Sequence, residues 1–342
     1  MSQHILVTGG CGFIGSNFIR FVLEQRPDCR ITNFDALTYS GNLENLAEVQ
    51  DDPRYQFVKG DIRNDADLAP VVSQCDAIVH FAAESHVDRS IMDSRPFVES
   101  NVLGTQVLID CARHAWEDKP DNRFVHVSTD EVYGDLPIDQ PELKFKETTP
   151  LAPSSPYSAS KAASDMLVAA CYHTFGFNAS ITRCSNNFGP YHFPEKIIPL
   201  FVTNLIEGKK VPLYGDGRNV RDWLHVTDHC EAILTVLERG KAGEVYNIGG
   251  NNERSNLELT HMLLDAMGFG EERIEYVTDR PGHDRRYAID ASKIKSELGW
   301  HPTRSAWPDA LKQTVQWYVD NPTWWQRVKS GAYRDYYKQQ YG

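Results

Sequence analysis

No Cys-x-x-Cys pair occurs in the 342 residues, although seven cysteines are present, at 11, 29, 75, 111, 171, 184 and 230. An odd count at irregular spacing excludes a disulfide framework and the paired-thiolate spacing of structural zinc. The thiols therefore read as reduced, in a reducing compartment. A basic surplus is also lacking: 35 basic against 47 acidic residues give a formal net charge of −12. That argues against a bulk nucleic-acid binder but leaves room for a small anionic ligand held by a few local arginines. No apolar run approaches the ~20 residues of a membrane helix. Met1-Ser2-Gln3-His4-Ile5-Leu6-Val7 runs straight into a strand, without a charged and apolar leader. The expectation is a cytoplasmic protein with neither a membrane nor a nucleic-acid partner. His86, His192, His225 and His283 are scattered, with no His-x-x-x-His spacing and no cysteine partners, so no metal site is expected.

What is present is an ordinary globular composition, 41% apolar and 24% charged, enough for a core without staples. Short β-branched runs at 4–8, 30–35, 55–59, 76–81 and 123–128 alternate with helical patterns at 13–25, 64–74, 95–115 and 157–175. This rhythm predicts an α/β fold, a Rossmann-like doubly wound parallel sheet with its ligand crevice at the C-terminal strand ends. Beyond about residue 185 the segments shorten, with Pro190, Pro194, Pro199 and Pro212 between them. Strands are expected at 211–214 and 244–248, and helices at 196–207, 228–239, 256–267 and 305–319. The division that follows is a regular α/β domain over 1–185, then a smaller, less regular lobe over 186–342, mainly for ligand binding, with segments able to return to the first domain. Trp300, Trp307, Trp317, Trp324 and Trp325 crowd the tail and read as lobe core and surface packing.

The first strand ends at Thr8 and leads into Gly10-x-Gly12-x-x-Gly15 and a helix. The early glycines permit a tight turn and close approach to a pyrophosphate, and the last lets helix and strand pack closely. The helix N-terminus offers free N–H groups to the phosphates. Asp35 ends the second strand, placed to bond the adenosine ribose hydroxyls and to repel a 2′-phosphate, so NAD is favoured over NADP. Asp61 and Ile62 follow the third strand, where the adenine ring is expected.

Tyr157-x-x-x-Lys161 places a phenol and an ammonium on one helix face. A free tyrosine has a pKa near 10 and is a weak base at neutral pH; a nearby ammonium would bring it down. Ser128 and Thr129 end a strand at the crevice, where Thr129 can bond the alcohol oxygen whose proton the phenolate would take. Adjacent carboxyls at Asp130 and Glu131 can split into one neutral acid and one charged base.

Gly9-x-x-Gly12-x-x-Gly15 with Tyr157-x-x-x-Lys161 resembles the extended short-chain dehydrogenase/reductase family. Four longer blocks resemble one subgroup of it, the dTDP-glucose 4,6-dehydratases: residues 82–90, 128–135, 184–196 and 280–287. The resemblance implies an NAD-dependent hydro-lyase of deoxysugar biosynthesis that converts dTDP-glucose to dTDP-4-keto-6-deoxyglucose and water. Tyr157, with Thr129 and Lys161, would deprotonate the sugar O4 while a hydride leaves to NAD. Glu131 would remove the C5 proton, Asp130 would protonate the departing C6 hydroxyl, and the hydride would return at C6.

The resemblance also assigns binding residues. Gly9, Gly12, Phe13, Ile14, Gly15, Asp35, Ala36, Leu37, Thr38, Asp61, Ile62, Phe81, Ala82, Ala83, Ser85, Ser100, Tyr157, Lys161 and Asn187 would hold NAD. Ser85, Thr129, Asn186, Lys196, Ile197, Pro212, Leu213, Tyr214, Arg221, Asn256, Asp279, Arg280, Pro281, Gly282 and His283 would hold the nucleotide sugar. Arg285 and Arg286 read equally as ligand contacts or a solvated charge cluster, and Ser100-Asn101 as the opening of a helix over the cofactor. Cys11 stands where alanine is common, and Ser100 where threonine is common. In similar proteins the apolar faces of helices 95–115 and 157–175 pair across a twofold axis, so the resemblance implies a homodimer. Two alternatives stay open, a nucleotide-sugar 4-epimerase on the same fold and a non-catalytic NAD-binding regulator, as does UDP in place of dTDP.

Overall fold

Alternating apolar strands cover both faces of a sheet only if helices flank it on each side, and that is how the first half folds. The structure, a computed structural model, describes residues 3–330; Met1 and Ser2 of the expected leaderless start, and residues 331–342 of the expected lobe, lie outside the described residues. β1 (His4–Thr8), α1 (Phe13–Gln25), β2 (Arg30–Asp35), β3 (Tyr55–Lys59), α2 (Asp65–Val72) and β4 (Ala77–His80) follow in order. Next come α3 (Val87–Met92) and one continuous helix made of α4 (Arg95–Phe97), a π-helical stretch (Val98–Gly104) and α5 (Thr105–Ala115). β5 (Arg123–Thr129), α6 (Pro156–Phe175) and β6 (Ala179–Cys184) complete this half.

The second half holds β7 (Asn186–Phe188), α7 (Ile197–Ile206), β8 (Val211–Tyr214), β9 (Val220–His225), α8 (Val226–Arg239), β10 (Val245–Ile248) and β11 (Glu253–Ser255). It continues with α9 (Asn256–Met267), β12 (Ile274–Val277), α10 (Ser292–Leu298), α11 (Asp309–Asp320) and α12 (Pro322–Val328). No helix among the described residues is long and apolar enough to cross a membrane.

Seven parallel strands form the main sheet in the order β10-β6-β5-β4-β1-β2-β3. Strand alternation sorts its side chains: Ile5 and Val7 pack with α1, α8 and α10 on one face, Leu6 with α2, α5 and α6 on the other. The order reverses between β1 and β4, and a crevice opens there at the C-terminal strand ends. β10, from beyond residue 185, joins this sheet as its edge, paired with β6 from Val245↔Ile181 to Ile248↔Cys184. α8 likewise packs on α1. The remaining strands make two small sheets, β11-β9-β7 and β12-β8, beside a separate core of Phe188, Phe201, Trp223, Leu263 and Trp325.

Three local features place the site. Ser155 caps α6 reciprocally with Ser158, an arrangement worth about 1 kcal/mol, and so starts that helix just before Tyr157. Ser100 and Asn101 lie in the π-helical stretch, inside the helix rather than at its opening. The wider turn carries Asn101 inward, where it bonds both backbone groups of Glu84 at 2.8 and 2.9 Å and the Ser160 hydroxyl at 2.8 Å. Thr129 ends β5 and caps the short turn carrying Asp130 and Glu131.

Candidate active site

A cavity of about 340 Å³ lies at the C-terminal ends of β1 to β6. Gly9, Gly12, Phe13, Ile14, Gly15, Asp35, Ala36, Thr38, Asp61, Ile62, Phe81, Ala82, Ala83, Ser85, Ser100 and Asn187 all line it. Of the residues expected around the cofactor, Leu37 alone is absent from the wall. It turns through a left-handed conformation (φ 54°), and its N–H donates to Asp35 Oδ1 at 2.7 Å.

Gly9 has φ 72°, and a Cβ there would lie 2.6 Å from the Ala82 nitrogen. A Cβ on Gly15 would collide with the Gly9 carbonyl oxygen. Any side chain would therefore spread strand, turn and helix apart. Asp35 is buried, and its other oxygen accepts the Cys11 N–H at 2.9 Å. Burial raises its pKa, and the two backbone hydrogen bonds oppose the shift. These features fit a dinucleotide: a turn stripped of side chains for the pyrophosphate, a helix N-terminus beneath it, and a carboxylate at the end of β2 for the ribose.

The same wall carries Thr129, Asp130, Glu131, Tyr157 and Lys161, and also Asn186, Lys196 and Ile197. Burial, then the neighbouring Glu131 and Asp222 carboxylates, push the Asp130 carboxyl well above the ordinary range; Arg221 and Thr129 oppose this. Asp130 Oδ2 is buried without a hydrogen-bond partner, the condition of a carboxyl that keeps its proton. Burial also raises Glu131, but Arg280, Lys196 and Arg221 all pull it back toward the charged form. Neighbouring carboxyls thus hold unlike environments.

Tyr157 departs from expectation. Its phenol is pushed well above 10, first by burial, then by Glu131, Cys184 and Asp130, with a hydrogen bond to Thr129 working against them. Lys161 does not hydrogen-bond the phenol: its ammonium donates to the Val127 carbonyl at 2.9 Å and stands 3.4 Å from His126 Nε2. A buried ammonium takes the nearest acceptors, which β5 supplies, and burial lowers its pKa to about 8. A neutral Asp130 removes one of the charges that hold the phenol high.

The expected nucleotide-sugar residues split into two groups. Ser85, Thr129, Asn186, Lys196 and Ile197 are on the wall; Pro212, Leu213, Tyr214, Arg221, Asn256, Asp279, Arg280, Pro281, Gly282 and His283 are not. Several of the second group meet one another. Asp88 accepts from Tyr214 at 3.2 Å and from Arg280 at 3.1 Å, and His283 bonds Asp279 at 2.6 Å. Arg221 is buried over the Tyr287 ring at 4.2 Å and donates to the Val220 and Asp284 carbonyls. Leu213 is 1% exposed and packed beneath Gly217, so its side chain belongs to the core. Arg286 is a buried strut, bonded to Glu253 and to the carbonyls of Gln140, Pro141 and Leu143. Arg285 pairs with exposed Asp216.

Four residues with no expected role stand at the site. Cys184 lines the cavity beside Tyr157 and Asp130. Glu195 is buried near Tyr39, Lys196 and Arg89, its pKa raised by burial to about 7. Tyr287 stacks on Arg221 and bears on Glu131. The fourth is Trp324, which reaches the cavity wall although Trp300 and Trp325 are core as expected. Cys184, Glu195 and Tyr287 lie inside the blocks that carried the family resemblance; no spacing rule marks them individually.

The pattern described as GDP-mannose 4,6 dehydratase matches residues 6–308. A dTDP-glucose 4,6-dehydratase of Escherichia coli is 51% identical, over 98% of each chain. A dTDP-glucose 4,6-dehydratase from Streptomyces venezuelae, solved with NAD and TYD bound, superposes with a TM-score of 0.91 at 51% identity, covering 96% of this chain and 100% of that one. A UDP-glucuronic acid 4-epimerase from Bacillus cereus, solved with UDP-glucuronic acid and NAD, shares the fold at 27% identity and a TM-score of 0.85, over 93% and 99%. With a match across most of its length and half its residues shared with such enzymes, this chain belongs to the GDP-mannose 4,6 dehydratase family, among its dTDP-glucose 4,6-dehydratases.

Proposed function

We propose that the chain is an NAD-dependent hydro-lyase that converts dTDP-glucose to dTDP-4-keto-6-deoxyglucose and water. The observation that carries this reading is the unlike pair Asp130 and Glu131, one buried with an unpartnered oxygen and the other facing three cations, on the wall that also holds Tyr157. An epimerase needs the tyrosine but has no use for an acid beside a base.

NAD held at Gly9–Gly15 and Asp35 supplies reversible two-electron chemistry when bound. Tyr157 receives the O4 proton, its phenolate supported by the Thr129 hydroxyl and by the Lys161 cation one turn along α6. A 4-ketone makes the C5 proton acidic, and Glu131 removes it. Asp130 gives its proton to the C6 oxygen, so that water leaves rather than hydroxide. Lys196, Arg221 and Arg280 give the glycosyl side of the site its positive character, suited to a diphosphate. In this reading residues 1–185 hold NAD and the catalytic groups, residues 186–342 mainly hold the nucleotide sugar, and the protein works in the cytoplasm. It pairs with a second copy through the helices around Val98, Leu103 and Met166, which are 53%, 52% and 61% exposed.

The test is incubation with dTDP-glucose in deuterated water, with UDP-glucose in parallel. Loss of one water with deuterium at C5, from the dTDP sugar only, is expected. A sugar of unchanged mass inverted at C4 would identify an epimerase, and bound NAD without turnover a regulator. Glu131→Gln is expected to slow C5 exchange by about 100-fold or more while NAD stays bound.

A further inference from the structure

Helix α12 and the glycine turn are joined by hydrogen bonds that the proposed chemistry does not use. Trp324, on α12, donates its indole N–H to Asn45 Oδ1 at 2.9 Å. Asn45 is 2% exposed and donates its own Nδ2 to the Cys11 carbonyl at 2.9 Å. The Asn42 N–H reaches that carbonyl too, at 3.0 Å. Cys11 in turn gives its N–H to Asp35 Oδ2. Three hydrogen bonds thus run from α12, through the residue at the apex of the turn, to the carboxylate at the end of β2.

The contact is braced on either side. Arg327 pairs with Glu44 next to Asn45. The Trp324 ring meets Tyr191 edge-on at 5.5 Å and Trp317 at 5.2 Å. Tyr191 is covered at 3.9 Å by Arg20 of α1, the helix the turn leads into. Trp324 and Val328 then extend to the cavity wall itself.

A glycine-rich turn is soft, because glycine rotates at little cost. The Cys11–Gly12 peptide could swing and present its carbonyl oxygen to a phosphate. Two donors on the Cys11 oxygen hold it turned away, and one of them is itself held from α12. We infer that Trp324 and Asn45 are positioning residues: docked α12 braces the peptide that follows Cys11, whose own N–H donates to the Gly9 carbonyl at 3.2 Å, and so holds the Gly9–Gly15 turn in the shape that receives the dinucleotide and sets how slowly it leaves. The inference rests on the reading that Gly9–Gly15 holds NAD. It suits an enzyme whose cofactor ends each turnover as it began and gains nothing by exchange.

The test measures release of NAD from the full-length holoprotein, chased with excess labelled NAD. Trp324→Phe keeps the ring and removes the donor; Asn45→Ala removes the link. Each is expected to speed release about tenfold, the effect of one buried hydrogen bond. The change should appear in the NAD concentration for half-maximal rate rather than in kcat, a split that general loosening of the fold would not produce. Arg327→Ala, on the exposed pair, should speed release about threefold and serves if the buried variants do not fold. Release at the wild-type rate in Trp324→Phe and Arg327→Ala would overturn the inference alone. A wild-type protein that neither carries NAD nor takes it up would overturn the NAD reading, and this inference with it.

Discussion

Asp130 and Glu131 are neighbours along the chain, yet only Glu131 faces three cations, from Arg280, Lys196 and Arg221. Asp130 is buried with its Oδ2 unpartnered, and a carboxyl in such a place keeps its proton. The sign of the consequence follows from linkage. Its folded pKa lies above the unfolded value near 3.9, so across the interval between them the native state holds a proton that the unfolded state has lost. Unfolding free energy then falls as pH rises through that interval, by at most about 1.4 kcal/mol per unit. Asparagine is neutral at every pH and escapes this loss. Asp130→Asn is therefore expected to gain melting temperature relative to wild type between pH 5 and 8 in scanning calorimetry, while turnover falls. A constant difference across that range would mean that Asp130 is ionised in the native protein. The pair was visible in the sequence, and the family resemblance made Glu131 the base and Asp130 the acid; the physical ground for that division was not visible, because the cations come from β9, the start of α7 and the loop after β12.

The elements that deliver these groups were mostly readable. The helical pattern at 13–25 coincides with α1 (Phe13–Gln25), and the turn before it needs glycine for steric reasons that spacing alone conveys. Gly15→Ala should press its methyl against the Gly9 carbonyl and cut retained NAD at least about tenfold, with far-ultraviolet circular dichroism unchanged; full NAD content in that variant would contradict the fit. β9 escaped the sequence reading for a definite reason. Its centre, Arg221-Asp222, is charged and yet buried, at 5% and 1% exposure. Asp222 accepts the backbone N–H groups of Gly250 and Asn252 at 2.9 and 2.6 Å, and Arg221 is held by carbonyls. Periodicity rules read charges as exposed, so a strand built around satisfied buried charges is invisible to them. The π-helical stretch was hidden for a similar reason: nothing in Val98–Gly104 announces it, and its use is the inward reach of Asn101.

For the molecule as a whole, the main sheet takes its last strand, β10, and a covering helix, α8, from beyond residue 185. The crevice is therefore walled by both halves of the chain. The π-helical stretch leaves Val98 and Leu103 exposed, and α6 leaves Met166 and Phe175, at 52–61%. On the proposed pairing, Leu103→Glu with Met166→Glu is expected to give a monomer in sedimentation velocity while NAD stays bound. A wild-type monomer at micromolar concentration would reject the pairing.

Order along the chain was enough for the parallel sheet, the NAD turn, the paired acids and the phenol–ammonium spacing, since each depends on local periodicity, a short steric rule or a compact motif. Three things were decided only by packing: the burial and cations that set Asp130 apart from Glu131, the direction of the Lys161 ammonium, and the seat of Trp324 against Asn45. All three are set by charges, carbonyls and burial from segments far away in sequence. The surest sequence feature, the glycine turn, is itself of this mixed kind. Its softness is written in its residues, and part of its bracing comes, through Asn45, from a helix more than three hundred residues later.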